Sequence, residues 1–194
     1  MEATIHEKRN RLKEIIKARG IVIRDVTLSS NKKSKFYYDI KSIVSEPEGA
    51  ALIGQLMLAM ILKLEPKTRS VGGLESGAIA IATAIVCSSF QLEPTYRVSG
   101  FFVRKNTKDY GLEKTVEGIV QIPVAVVDDV ITTGKSVLHA VTALRNQGIS
   151  EINIVSVIDR EAEENLLNQN NTQFHSIFRH SEFADYIDSK LDQQ

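Results

Sequence analysis

Val124-Ala125-Val126-Val127-Asp128-Asp129-Val130-Ile131-Thr132-Thr133-Gly134-Lys135-Ser136 decides how this chain is read. The first four residues are an unbroken apolar run, the pattern of a strand buried in a parallel sheet. Two carboxylates follow at once, Asp128 and Asp129. A small polar turn, Thr132 to Ser136, then leads into a helical pattern starting near Val137. A strand ending in acids, followed by a hydroxyl- and glycine-bearing turn into a helix N-terminus, can hold a phosphorylated sugar. Loop and helix-end N–H groups attract the phosphate, and the acids accept hydrogen bonds from sugar hydroxyls. Gly134-Lys135-Ser136 also spells the end of a nucleotide-binding P-loop. That motif needs a glycine five positions before Gly134, where this chain has Asp129, and carboxylates there would repel a triphosphate. The plain alternative is a strand–turn–helix with a polar turn. It leaves two adjacent carboxylates at the end of an apolar strand without the partners such charges need.

The 194 residues are enough for one α/β domain with a full core. The 24 basic and 24 acidic residues cancel to zero net charge, which speaks against a strongly basic nucleic-acid binder and an acidic disordered chain. Cys87 is the single cysteine. It cannot close an intrachain disulfide, so a reducing cytoplasm is expected, with Cys87 as a small buried hydrophobe. The N-terminus is polar, without a signal-peptide core. The uncharged apolar run Gly49 to Leu62 falls short of the roughly 20 residues that span a bilayer, so no membrane association is expected. It reads as a buried helix, opened by the capping-box pattern and early proline of Ser45-Glu46-Pro47-Glu48. His6, His139, His175 and His180 show no metal-ligand spacing with one another or with Cys87, which leaves structural or surface roles.

Thr4 to Arg19 has the period of an amphipathic helix, with Ile5, Leu12, Ile15 and Ile16 on one side. Its cations, Lys8, Arg9, Arg11, Lys13, Lys17 and Arg19, read as a solvated face. Gly20 ends it. Ile21 to Leu28 and Lys35 to Ile40 read as hairpin strands around a turn at Ser29 to Ser34. Residues 1–45 thus form a small N-terminal cap on a core spanning 46–194, within one domain covering 1–194. The core alternates: helix 47–64, strand 69–72, helix 77–90, strand 96–103, strand 118–127, helix 136–147, strand 152–158, helix 161–168, strand 174–178 and helix 181–191. This order predicts an α/β fold with a mostly parallel central sheet flanked by helices, and ligands gathered at the carboxyl ends of the strands.

Four further stretches carry chemistry. Val71-Gly72-Gly73-Leu74-Glu75-Ser76-Gly77 follows a short strand and opens a helix; its three glycines suit a backbone that approaches an anion closely. Arg104-Lys105-Asn106-Thr107-Lys108-Asp109-Tyr110-Gly111 sets three cations within five residues, a site for a highly charged leaving group or else a solvated loop. Leu28 to Asp39 ends in Tyr37 and Tyr38, rings that either stack on a flat base or fill the core. Strand neighbours point to opposite faces, so one of the two rings is expected to meet a base. Arg160, at the end of the strand 152–158, can grip a carboxylate with two prongs, or pair with Glu161 or Glu163.

Together these stretches resemble the type I phosphoribosyltransferases. Residues 124–136 match their signature for phosphoribosyl pyrophosphate (PRPP), and the other segments are similar to those of the orotate phosphoribosyltransferases. The resemblance implies the type I phosphoribosyltransferase fold and transfer of phosphoribose from PRPP to orotate, giving orotidine 5′-monophosphate and pyrophosphate in pyrimidine synthesis. It implies that Asp128 and Asp129 meet the ribose, that Thr132, Thr133, Gly134, Lys135 and Ser136 wrap the 5′-phosphate, and that Ser76, Gly77, Arg104, Lys105 and Lys108 face the pyrophosphate. Lys108, Asp128 and Asp129 are the implied catalytic residues. Tyr37, Tyr38, Thr132 and Arg160 would meet orotate. Mg²⁺ is implied, held mainly through PRPP rather than by a side-chain cage, as is a homodimer whose loop 104–111 reaches the neighbouring site. Ser29, Asn31, Ser76 and Tyr110 stand where family members commonly have lysine, glycine, lysine and histidine. The alternatives are a transferase of the same fold acting on a purine or another base, and a non-catalytic PRPP sensor.

Overall fold

The computed structural model describes residues 3–27, 33–105, 115–169 and 173–193. The chain opens with α1 (Ile5–Ile15), closed at its start by a capping box: the Glu7 N–H donates to Thr4 Oγ1 at 3.2 Å, and Glu7 accepts the Thr4 N–H at 2.7 Å. A wide helical turn over Ile16–Gly20 leads into β1 (Ile21–Thr27), which pairs antiparallel with β2 (Lys33–Tyr38), Ile21 opposite Tyr38, through a bulge between Ile23 and Val26. The basic side of α1 is more than a solvated face. Arg9 donates to Glu182 at 2.7 Å and to the Ile177 carbonyl, and lies 4.5 Å from the Phe178 ring centroid, which ties the first helix to the last part of the chain.

A short helix that apolar spacing did not predict, α2 (Ile40–Val44), follows the hairpin, its N-terminus capped by Asp39. It takes Ser45 out of the expected capping box: the Ser45 hydroxyl donates backwards to the Lys41 carbonyl, and α3 (Pro47–Ile61) starts behind Glu46 with no side-chain cap. The two helices meet at Gly49, where a Cβ would lie 2.1 Å from the Ile43 carbonyl oxygen. Gly49→Ala is expected to cost about 1–3 kcal/mol by overpacking, read as a lower denaturant midpoint. An unchanged midpoint would show that this corner yields freely.

The main sheet has the order β5-β4-β3-β6-β7-β8. Its strands are β3 (Ser70–Gly72), β4 (Ser99–Val103), β5 (Val116–Gly118), β6 (Val124–Ile131), β7 (Ile152–Asp159) and β8 (His175–Arg179). All pairings are parallel except that of β5 with β4. Helices α4 (Gly77–Ser89), α5 (Lys135–Arg145), α6 (Leu166–Gln169) and α7 (Ala184–Leu191) complete the fold. Along β6, Ala125 and Val127 join the core that holds α1 to α4 and α7, while Val124 and Val126 join the one under α5. Burial on both faces is what the apolar run implied. No helix among the described residues is long and apolar enough to cross a membrane.

Four further expectations change. The strand expected over 118–127 is two strands, because Gly118 takes φ +103° and Pro123 offers no N–H to a ladder. β6 runs on to Ile131, since β7 pairs with it as far as Ile131 opposite Asp159, so the two acids lie inside its last turn of strand and not beyond it. The helix expected over 161–168 shrinks to α6, because Glu161 adopts φ 52° and donates its N–H to the Asp159 carboxylate. Cys87 is exposed: Ile81, Ile85 and Ser89 face inward, and the helical period puts Cys87 on the opposite side of α4.

Candidate active site

The carboxyl ends of β3, β6 and β7 open into a cavity of about 390 Å³, roofed by β2 and α2. Asp128, Asp129, Thr132 and Ser136 line it from the β6–α5 connection, Ser76 and Gly77 from the start of α4, and Lys105 from the end of β4. Tyr37, Tyr38 and Arg160 close the far side. An adjoining hollow of about 240 Å³ shares Lys105, Asp128, Thr132 and Ser136, and adds Thr133, Gly134, Lys135 and His139. One compartment is therefore made by the polar turn and the head of α5, the other by the hairpin and Arg160.

The acid pair is locally braced. The Asp129 N–H donates to Asp128 Oδ1 at 3.0 Å, and the Val130 N–H to Asp129 Oδ1 at 2.8 Å. Burial pushes the Asp128 carboxyl well above the usual range, the negative charge of Asp129 pushes the same way, and the Lys41 cation opposes both. Lys41 is a cavity residue that the sequence reading missed, because it sits on the unpredicted α2. The available signal was Asp39, an N-cap residue three positions before Ser42.

The glycines of 72–77 divide into two roles. A Cβ on Gly72 would fall 2.2 Å from the Phe101 carbonyl oxygen, and one on Gly73 would fall 2.3 Å from that of Val127. These two let β3 fit between β4 and β6. Gly77 alone fronts the site, where a Cβ would lie 3.4 Å from the Asp129 carboxylate. It brings the N-terminal end of α4, a positive dipole end, against that acid. Glu75 accepts the Lys105 N–H at 2.8 Å and fixes where the segment after β4 begins.

The polar turn is held from below. Gly134 takes φ +76° at the head of α5. The Leu166 N–H donates to the Thr133 carbonyl at 3.0 Å, and the Arg160 N–H to the Ile131 carbonyl at 2.9 Å. The segment after β7 thus carries Arg160 and supports the turn at the same time.

On the far side the two tyrosines separate. Tyr38 is 1% exposed and its hydroxyl is bonded to His180 Nδ1 at 2.8 Å, so it is chiefly a core ring at the cavity edge. Tyr37 is half-buried and presented to the cavity; burial, then the charges of Asp129 and Asp39, raise its phenol. Arg160 pairs with neither Glu161 nor Glu163. Its Nη2 donates to Ser34 Oγ at 2.8 Å, and its guanidinium lies 4.5 Å from the Phe36 ring centroid.

Arg104 is not among the cavity residues. It forms an ion pair with Glu117 and lies over Phe102, because Glu117 stands opposite Phe102 in the β4–β5 ladder. Lys108 and Tyr110, with the rest of 106–114, lie outside the described residues, as do Ser29 and Asn31. Among the described residues no three His, Cys, Asp or Glu side chains gather as a metal site.

The phosphoribosyl transferase domain family matches residues 39–185. The orotate phosphoribosyltransferase of Aquifex aeolicus is 37% identical over 182 residues, covering 90% of this chain and 97% of that protein. The crystal structure of Mycobacterium tuberculosis orotate phosphoribosyltransferase with Fe(III) dicitrate superposes with a TM-score of 0.72 at 30% identity, covering 90% of this chain and 97% of that one. The same enzyme in complex with PRPP gives a TM-score of 0.71 at 28% identity, covering 91% and 99%.

Proposed function

The chain belongs to the phosphoribosyltransferase family and groups within it with the orotate phosphoribosyltransferases, and from that premise we propose that it makes orotidine 5′-monophosphate and pyrophosphate from orotate and PRPP, a step of pyrimidine synthesis. The observation that carries the reading is the arrangement of one site: a paired carboxylate between a polar, hydroxyl-bearing turn and an arginine held beside an aromatic ring.

The ring nitrogen of anionic orotate attacks C1 of the ribose while the bond from C1 to pyrophosphate breaks, so positive charge develops on the ribose, as in other glycosyl transfers. Asp129 and Asp128 hold the ribose hydroxyls and face that charge. The N–H groups of the turn at Thr132, Thr133, Gly134, Lys135 and Ser136 fix the 5′-phosphate, and fixed orientation contributes much of the rate. Ser76, Gly77 and Lys105 receive the pyrophosphate, with Lys108 from the segment beyond. Arg104 stands at the head of that segment, paired with Glu117, and is the further cation proposed for the pyrophosphate. Tyr37 lies along the base and Arg160 takes its carboxylate. Asp128 and Asp129 are hard oxygen donors, suited to lie beside a hard cation that would be held mainly through PRPP. Mg²⁺ bound there would supply charge neutralisation for the leaving group.

The single cysteine and balanced charge support a cytoplasmic enzyme of small-molecule substrates, with residues 1–45 capping one catalytic unit. The deciding assay mixes the protein with PRPP, Mg²⁺ and orotate and follows loss of orotate absorbance, with adenine, hypoxanthine and uracil as competitors. Turnover of a purine in place of orotate sinks the reading.

A homodimer is part of the proposal. Helix α4 carries Ile79 and Cys87 on its exposed side, and Phe90, the residue that caps it, is 66% exposed; a largely apolar outer side of this kind is normally covered. Lys105 lines the cavity of its own chain; the loop 104–111 is proposed to reach the neighbouring site, with Lys108 as the cation it offers. Lys108→Ala and Asp129→Asn are each expected to be inactive. Subunit exchange between them should restore activity toward half of wild type per mixed dimer, because one of the two sites then carries neither defect. Mixed dimers that stay inactive would show that each loop serves its own subunit.

A further inference from the structure

The last part of the chain carries no motif, yet it reaches the base side of the cavity through one ring. His180 opens the turn His180–Glu182 behind β8. Its imidazole stacks on Phe36 with centroids 5.4 Å apart and planes 6° from parallel. Nδ1 is bonded to the buried Tyr38 hydroxyl at 2.8 Å. Phe36 in turn carries the Arg160 guanidinium at 4.5 Å and meets Tyr38 edge-on at 5.4 Å. Ser34 joins the same group: its hydroxyl accepts from Arg160 Nη2 and donates to the Phe36 carbonyl, both at 2.8 Å. The circuit closes through the neighbouring backbone, because the Ser181 N–H donates to Glu161 Oε2 at 2.6 Å and Glu161 follows Arg160 in the chain. His180 does not line the cavity, so it has no direct route to a substrate.

We propose that His180 is a positioning residue for base recognition, holding Phe36 as the platform on which Arg160 is aimed at the carboxylate of the incoming base. The proposal rests on the reading of Arg160 as the carboxylate-binding residue. A guanidinium presents its donors in a flat, rigid fork, so a small rotation costs it the two-pronged contact. Ser34 constrains one nitrogen and the Phe36 face constrains the plane. Phe36 lies in a two-stranded hairpin, which has little rigidity of its own. The ring behind it supplies that rigidity. His180 is suited to the task while uncharged: burial and the nearby Arg160 cation hold it below the ordinary imidazole range. A neutral imidazole keeps one ring nitrogen as an acceptor for the Tyr38 hydroxyl and adds no second cation beside Arg160.

The test compares His180→Ala, His180→Phe, Arg160→Ala and the double variant His180→Ala/Arg160→Ala, each by steady-state kinetics with orotate and PRPP varied in turn, and each checked by thermal melting. His180→Ala is expected to raise KM for orotate about two- to thirty-fold, with KM for PRPP unchanged. His180→Phe, which keeps a flat ring behind Phe36, should recover most of the loss. In the double variant His180→Ala should add almost nothing to Arg160→Ala, because both act through one group. Additive losses, or equal rises in KM for both substrates, overturn the proposal. So does an unchanged KM for orotate in His180→Ala while Arg160→Ala loses orotate. Arg160→Ala that keeps orotate binding overturns the carboxylate reading itself, and the two failures are thereby distinct. Should His180→Ala melt below the assay temperature, His180→Phe against His180→Leu makes the same comparison, flat ring against none, with the same expected rescue.

Discussion

Asp129→Asn is expected to lower turnover about 10²–10³-fold, the usual effect of losing a group aimed at developing charge, while the protein keeps its fold. Asp128→Asn should lower it less. Both substitutions keep an oxygen for the local backbone bonds, since an amide Oδ1 can still accept the Asp129 and Val130 N–H groups. The lost charge is therefore the main change. Their effects on stability should differ in an informative way. The folded-state carboxyl of Asp128 lies above its unfolded value, because burial and Asp129 disfavour the anion. A group of that kind contributes stability below its unfolded pKa and loses it as pH rises through the folded one. Near pH 7, far above its unfolded pKa, Asp128 is thus a destabilising feature kept for chemistry. Asp128→Asn should melt higher than wild type near pH 7, and the gain should shrink as the pH falls toward the unfolded value. Steady-state rates paired with melting curves across pH check both halves. Near wild-type turnover in both variants sinks the role of the acids, and a lower melting temperature at pH 7 shows Asp128 to be structural.

The path from sequence to site was open wherever the signal was local. The apolar run of β6, its acids and the turn after them form one continuous stretch, and the alternating elements around it imply a parallel sheet with this stretch at its carboxyl end. The losses come where a residue's role depends on what lies beside it in space. Gly72 and Gly73 look like part of a phosphate cradle, but the carbonyls of Phe101 and Val127 require them, and those carbonyls belong to neighbouring strands. Arg104 and Lys105 are equivalent by type, and only the β4–β5 register shows Glu117 beside Arg104 while Lys105 lines the cavity. Tyr37 and Tyr38 are equivalent by type; alternation says that they part company, and only the packing of His180 and Phe183 against Tyr38 says which one turns inward. The short helix α2, with Lys41, is too brief to leave a periodic trace.

Arg160→Ala is expected to weaken orotate binding by about 2–5 kcal/mol, the cost of removing one side of a hydrogen-bonded charge contact, and to leave PRPP binding nearly intact. The geometry supports the separation. Arg160 acts on the phosphate turn only through its backbone N–H, which donates to the Ile131 carbonyl and survives truncation to alanine. Its side chain runs the other way, toward Ser34 and the Phe36 ring. Substitution therefore removes a cation from the base compartment without loosening the turn that holds phosphate. Arg160→Lys refines the test, because lysine restores the charge without the planar fork. Orotate affinity between those of wild type and alanine would assign part of the effect to charge and the rest to two-pronged geometry. Separate calorimetric titrations with orotate and with PRPP give the numbers. Equal weakening of both substrates would make Arg160 a scaffold residue, and the choice of orotate over other bases would then have to come from Tyr37 and the hairpin alone.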